Sequence, residues 1–197
     1  MEDSRLNVYN ETAKILRKLD NTREIPSTRA MLANIRNSIN KDLSNNMDAL
    51  AFVFQSLPEE FAGSRKELND YELAILTSVQ MYALYQQANA KSVLKLDYQE
   101  GERRQNLGDA LSTLRTGESK SIDARFNALV TASNFTQLQN HLRQMIKLLK
   151  AKSDAQVDYA SLADDLYWFL RNQKDGVKIR WARSYYKFRQ IDSKGEN

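Results

Sequence analysis

From Asn134 to Lys152, apolar residues recur three or four apart: Phe135, Leu138, Leu142, Met145, Ile146 and Leu149. That spacing places them on one stripe of a helix and predicts a face turned toward a core. Arg143, Lys147 and Lys150 fall four and three apart beside the stripe, so their charges project as one ridge. The same period recurs along the chain. Leu6, Tyr9, Ala13 and Leu16 mark a first helix from near Ser4 to Asn21, and Pro26 opens a second with Met31, Ile35 and Ile39 on its apolar side. Arg29 and Arg36, seven apart, share a face of that second helix. After a break at Asn45 and Asn46, Met47, Leu50, Val53 and Phe54 resume the pattern until Pro58 stops it. A loop containing Gly63 and Ser64 leads to a long helix from about Asn69 to Asn89, with Leu73, Leu76, Val79, Tyr82, Ala83 and Gln86 as inner positions.

The polar, turn-prone run Asp97 to Gly101 is a candidate domain boundary. Beyond it, a helix near Asn106 to Leu114 carries the small residues Gly108, Ala110 and Ser112, which permit close approach to a neighbour, and Gly117 suits the left-handed position that ends it. Ile122, Phe126, Leu129 and Val130 define the next helix, and the ridge-bearing helix follows. Tyr159, Leu162, Ala163, Leu166 and Leu170 define another, which Lys174 to Gly176 should terminate. In a last helix, about Val177 to Gln190, Val177, Trp181, Tyr185 and Phe188 share one face while Arg180, Arg183 and Lys187 cluster on a different one. No stretch shows a period of two. The expected fold is all-α, as two small helical bundles, residues 1–98 and a basic 99–197, joined by a short linker.

Composition agrees: two prolines and six glycines in 197 residues favour helix nearly throughout, and a 42% apolar chain of this length can bury a real core. There is no cysteine, hence no disulfide or thiolate metal site, and no run of apolar residues reaches membrane-spanning length. A soluble cytoplasmic protein is the default expectation. Charge adds an asymmetry. Residues 1–98 hold 12 Lys and Arg against 13 Asp and Glu, whereas 99–197 hold 17 against 12. An acidic partner is therefore expected, nucleic acid rather than membrane, because the basic helices lack a large exposed apolar face.

Solvated faces account for many basic helix surfaces. Two ridges together with Arg103, Arg104, Arg115, Lys120 and Arg125 suggest more: converging in space, they would neutralise phosphates and bind without sequence preference. No zinc finger, basic zipper or helix-turn-helix accompanies them, so direct base readout is not expected. Trp168, Trp181, Tyr185 and Tyr186 could stack on unpaired bases, although aromatics at helical spacing more often belong to a core. His141 has no second histidine to complete a triad or zinc site. Asp164 and Asp165, adjacent on a helix, point in different directions; they are expected on a solvated face rather than at a two-metal centre. No active site, cofactor or metal is expected.

Five ordered segments carry a resemblance: LGDALSTLRTG (Leu107 to Gly117), ARFNALV (Ala124 to Val130), HLRQMIKLLK (His141 to Lys150), YASLADDLYWF (Tyr159 to Phe169) and IRWARSYY (Ile179 to Tyr186). Together they resemble the CasB family, the small subunit of the type I-E CRISPR surveillance complex Cascade. In residues 1–98 the likeness rests mainly on STRAMLANIR, Ser27 to Arg36. The resemblance implies a non-catalytic, all-helical subunit present as two head-to-tail copies. It also implies contacts with the backbone and large subunits and with crRNA and the target and displaced DNA strands, in antiviral defence. An RNA-guided complex delegates sequence reading to base pairing, so such a subunit needs only to grip backbones. By position, the resemblance makes Arg125 and Arg143 nucleic-acid contacts, with Arg115, Lys178, Arg180 and Arg183 beside them. Asp109 stands where some family members are basic. The alternative is a helical adaptor whose basic faces dock on an acidic protein without nucleic acid.

Overall fold

The computed structural model describes residues 7–39, 41, 47–63, 67–116 and 119–187. The expected start at Ser4, the break at Asn45 and Asn46, Ser64, Gly117 as a terminator, and Phe188 and Gln190 lie outside these residues. The fold is all-α. Its helices are α1 (Val8–Asn21), α2 (Pro26–Asn37), α3 (Met47–Ser56), α4 (Asp70–Gln86), α5 (Leu107–Ser112), α6 (Lys120–Val130), α7 (Phe135–Lys152), α8 (Tyr159–Trp168) and α9 (Lys174–Lys187). Among the described residues, β-type pairing is confined to one parallel bridge between Leu94 and Val157.

The helix starts are chemically explicit. Asn7, Asn134 and Asp158 accept backbone N–H bonds in the first turns of α1, α7 and α8. Asn69 with Glu72 and Asn106 with Asp109 form reciprocal capping boxes for α4 and α5. Pro26 occupies the first turn of α2, where its missing N–H costs nothing.

The structural centre is α4, not the ridge helix α7. From Ala74 to Gln86 every residue is buried, which is the pattern of a helix enclosed on all sides. It packs on α1, α2, α7 and α8. Its polar side chains are satisfied internally: Ser78 donates to the Tyr159 carbonyl (2.5 Å), Gln80 to Ser38 Oγ (2.8 Å) and Tyr82 to Asp20 (2.9 Å). Helices from both halves of the chain thus share one core, since α1 and α4 each pack on α8. The segment containing the expected boundary adds to this, with Lys95 N–H bonded to the Val157 carbonyl (3.0 Å) and Val157 N–H to that of Val93 (2.9 Å).

One expected break moves. The α8 helix ends in a kink at Phe169–Gln173, where Asn172 takes a left-handed φ of 63°, a conformation Asn tolerates better than most residues. Consequently Lys174 to Gly176 does not terminate a helix but forms the first turn of α9. A second feature is the seating of α5 hard against α9. A Cβ on Gly108 would lie 2.1 Å from the Trp181 carbonyl oxygen, so the small residues of α5 do allow a close approach.

Candidate nucleic-acid interface

The cations predicted from sequence fall into two groups and a remainder. The first group joins α2 to α7. Arg29 and Arg36 line a cavity of about 470 Å³ together with Arg23, Leu32 and the chain after α4. Lys150 reaches the same neighbourhood, donating to the Leu84 carbonyl (3.3 Å) and to Gln87 Oε1 (3.1 Å). Its ammonium is pulled below the ordinary lysine range by burial and then by the charge of Arg36. The ridge of α7 therefore runs into the arginines of α2. Lys147 is exposed one turn away, whereas Arg143 is half-buried with its Nε shut from solvent and unpartnered. Among the described residues Arg36, Lys147 and Lys150 have no carboxylate within ion-pair distance; Arg29 pairs with Glu24 at 2.5 Å.

The second group lies where α9 meets the strand-like entry to α5. Arg103, Arg180, Arg183 and Lys187 line a cleft of about 250 Å³ with Asn106, Asp109 and Ser184. The capping residue Asn106 donates to Ser184 Oγ (2.9 Å), which fixes this entry segment on α9. Two of these cations are already paired: Arg103 with Asp109 (2.6 Å) and Arg180 with Asp165 (2.5 Å). Asp109, which the resemblance marks as a departure from basic character, thus acts as a helix cap and a tether for Arg103. Arg183 and Lys187 are exposed without an ion-pair partner among the described residues.

The remainder divides by environment. Lys120 and Arg125 are exposed on α6. Arg115, by contrast, is an internal arginine: its side chain is 5% exposed, its Nε donates to Asp123 (3.0 Å), and its guanidinium faces the rings of Tyr185 and Tyr186. Burial alone would raise the Asp123 carboxyl, but bonds from Tyr185, Arg115 and Ser119 hold it below the usual carboxylate range. Lys178 donates to the Ala132 carbonyl (2.7 Å), tying α9 to the turn before α7. The basic side chains therefore do not form one uninterrupted line along a single face.

One expectation about neighbouring residues needs correction. Asp165 is not on a solvated face; its side chain is 8% exposed and accepts from Trp181 Nε1 (2.6 Å) and Arg180. Burial raises its carboxyl and that of Asp164, each against the pull of Arg180. Of the aromatics, Trp181 and Tyr185 are core residues, while Trp168 and Tyr186 are exposed. Sequence reasoning missed Arg23, which lies in the turn between α1 and α2 and has no helical period to reveal it. It missed Tyr9 as the ring on which Arg104 stacks, 3.9 Å from its centroid.

Among the described residues no group of His, Asp or Glu is arranged to hold a metal ion, and no helix is long and apolar enough to cross a membrane. A family model described as CRISPR-associated protein Cse2 matches residues 31–186. The chain belongs to the Cse2 family. Solved structures share the fold. CasB from Thermobifida fusca superposes with a TM-score of 0.70 at 22% identity, covering 90% of this chain and 97% of its own; at that identity it shows the shared fold. A CRISPR-associated protein of the Cse2 family from Thermus thermophilus gives 0.65 at 25% identity, covering 89% and 97%. CasB from M. ruber gives 0.61 at 24%, covering 90% and 93%. No curated protein matches the chain significantly by sequence. The Cse2 match takes in the second half of α2, with Arg36, all of α7, and α9 through Tyr186, so most of both cation groups lies within it.

Proposed function

We propose that this Cse2-family chain is the non-catalytic small subunit of a type I-E Cascade complex in the cytoplasm. In this role it grips nucleic-acid backbone without sequence preference, steadying the crRNA–target hybrid and the displaced DNA strand during antiviral defence. The observation that carries the proposal is that Lys150 bonds to Gln87 (3.1 Å), which lines the same cavity as Arg29 and Arg36, so the α7 ridge continues toward α2 with no carboxylate within ion-pair distance of Lys150 or Arg36 among the described residues. Cations gathered around one cavity repel one another. A polyanion relieves that repulsion and releases its counterions, whereas dissolved salt only screens it. The cleft formed by Arg103, Arg180, Arg183 and Lys187 supplies a second place for a backbone, consistent with a subunit that meets more than one strand. The backbone and large subunits of Cascade and a second copy of the chain complete the proposed set of partners.

The test is an anisotropy titration of labelled single- and double-stranded DNA against the purified protein over a range of salt. Each phosphate contact contributes about −0.7 to the slope of log K against log salt on a single strand. Reversing Arg36 and Lys147 to Glu should flatten that slope by roughly 1.4 and weaken binding, with helicity unchanged. An unaltered affinity would remove the α2–α7 surface from the proposal. A wild-type protein that binds no DNA even at low salt would favour the adaptor that docks only on acidic protein.

A further inference from the structure

Beside the second cation group lies a larger open cavity, about 780 Å³, lined by the start of α1, the segment before α5, α8 and the first half of α9. It shares Arg103, Asn106 and Arg180 with the basic cleft, so a chain lying along that cleft passes its mouth. Backbone gripping gives this cavity no task.

Its lining combines three features. Trp168, 44% exposed, presents its indole to the cavity. Asp164 stands next to it, half-buried, with no ion-pair partner among the described residues. Burial and Asp165 raise its carboxyl, opposed by Arg180, Arg104 and the Trp168 side chain. Arg104, stacked on Tyr9, likewise has no carboxylate partner among the described residues and keeps its outer N–H groups available. The other charges are already matched, Arg180 by Asp165 and Arg103 by Asp109. What remains for a ligand is therefore an aromatic face, one carboxylate and one guanidinium.

We propose that this cavity takes an unpaired guanine base from a strand held in the neighbouring cleft. The base stacks on Trp168, Asp164 accepts from its Watson–Crick edge, and Arg104 meets a flanking phosphate. Base stacking on an aromatic ring is tolerant of sequence, but guanine is the base with two adjacent N–H donors on that edge, which a carboxylate can accept together. The cavity is of a size that accommodates a nucleotide. This inference rests on the nucleic-acid binding proposed above and adds to it a subsite with a base preference.

Trp168 provides its own reporter, because Trp181 is fully buried. Three single strands of about 15 nucleotides, long enough for one binding site, would be titrated: all thymine, thymine with one central guanine, and thymine with one central abasic site. Anisotropy reports binding of each strand, and indole fluorescence reports occupancy of the cavity. The guanine strand should quench the indole emission and bind about five- to hundredfold tighter than the abasic one, in keeping with the worth of one stacked base. Trp168→Ala should abolish that preference and also weaken all-thymine binding by the loss of one stacked base, whereas Asp164→Asn should abolish only the preference for guanine over thymine; both side chains reach solvent, so folding should survive. Equal affinity and unquenched emission for strands that all bind would overturn the subsite alone. Failure of every strand to bind would overturn the backbone proposal along with it. Quenching by an arginine-containing peptide but not by the guanine strand would also overturn it, showing a site for a protein cation instead.

Discussion

Gly108→Ala is the smallest change with the largest expected structural effect. The new methyl would lie 2.1 Å from the carbonyl oxygen of Trp181 and 2.9 Å from its carbon, where ordinary contact begins near 3.4 Å. Both obstructing atoms are backbone, so no rotamer change can relieve the clash, and α5 must move away from α9. Overpacking of this kind costs about 3 kcal/mol. The better helix propensity of Ala returns about 1 kcal/mol at most, leaving a net loss of about 2 kcal/mol and a Tm lowered by about 4–8 °C for a chain of this length. The separation would also stretch the Asn106–Ser184 bond that holds the second cation group together. Urea and thermal unfolding of Gly108→Ala would be compared with Gly176→Ala, whose methyl would meet only the Arg180 guanidinium at 3.9 Å. The control should be neutral or slightly stabilised. A Gly108→Ala protein within about 0.5 kcal/mol of wild type, the range of ordinary surface changes, would refute the close packing of α5 on α9.

Asp165→Ala should destabilise the protein by about 2–3 kcal/mol, because it leaves the Trp181 indole N–H buried without an acceptor; urea denaturation with an unchanged m-value would show it, and a neutral result would contradict the buried bond. For Asp164 the sign is the reverse. Its carboxyl is raised in the fold, so the ionised form weighs against folding at neutral pH, and Asp164→Asn should raise Tm there. The advantage should shrink as pH falls through the raised pKa and vanish below the unfolded value, near pH ~4, where wild type is neutral too; a difference independent of pH would contradict this. Finally, fragments 1–98 and 99–197 should not fold separately but should form helical structure when mixed, since α4 is enclosed partly by α8. Cooperative unfolding of 1–98 alone, seen by circular dichroism, would instead support two independent bundles.

What the sequence revealed depended on whether a helix has two kinds of face. The stripe and ridge of α7 were legible because half of that helix meets the core and half meets water. The central place of α4 was not, because a helix buried all round has no period to read. Its signal lay elsewhere: no charged residue occurs between Leu73 and Ala90. Asp165 looked solvated because the two partners that stabilise it, Arg180 and Trp181, are supplied by α9 after the chain has turned at Asn172. Arg115 looked available for the same reason, since Tyr185 and Tyr186 come from the far end of the chain. Local spacing identified which side chains are cationic and which helix faces carry them. Only packing decides which of those cations are already paired within the protein.

The most direct test of the central claim is the lifetime of target DNA on a reconstituted surveillance complex carrying either this subunit or its Arg36→Glu, Lys147→Glu variant. With incorporation of the subunit verified, the variant complex should release the target strand several-fold faster and do so with a weaker dependence on salt. Identical lifetimes for the two complexes would contradict a role for the α2–α7 surface in holding nucleic acid.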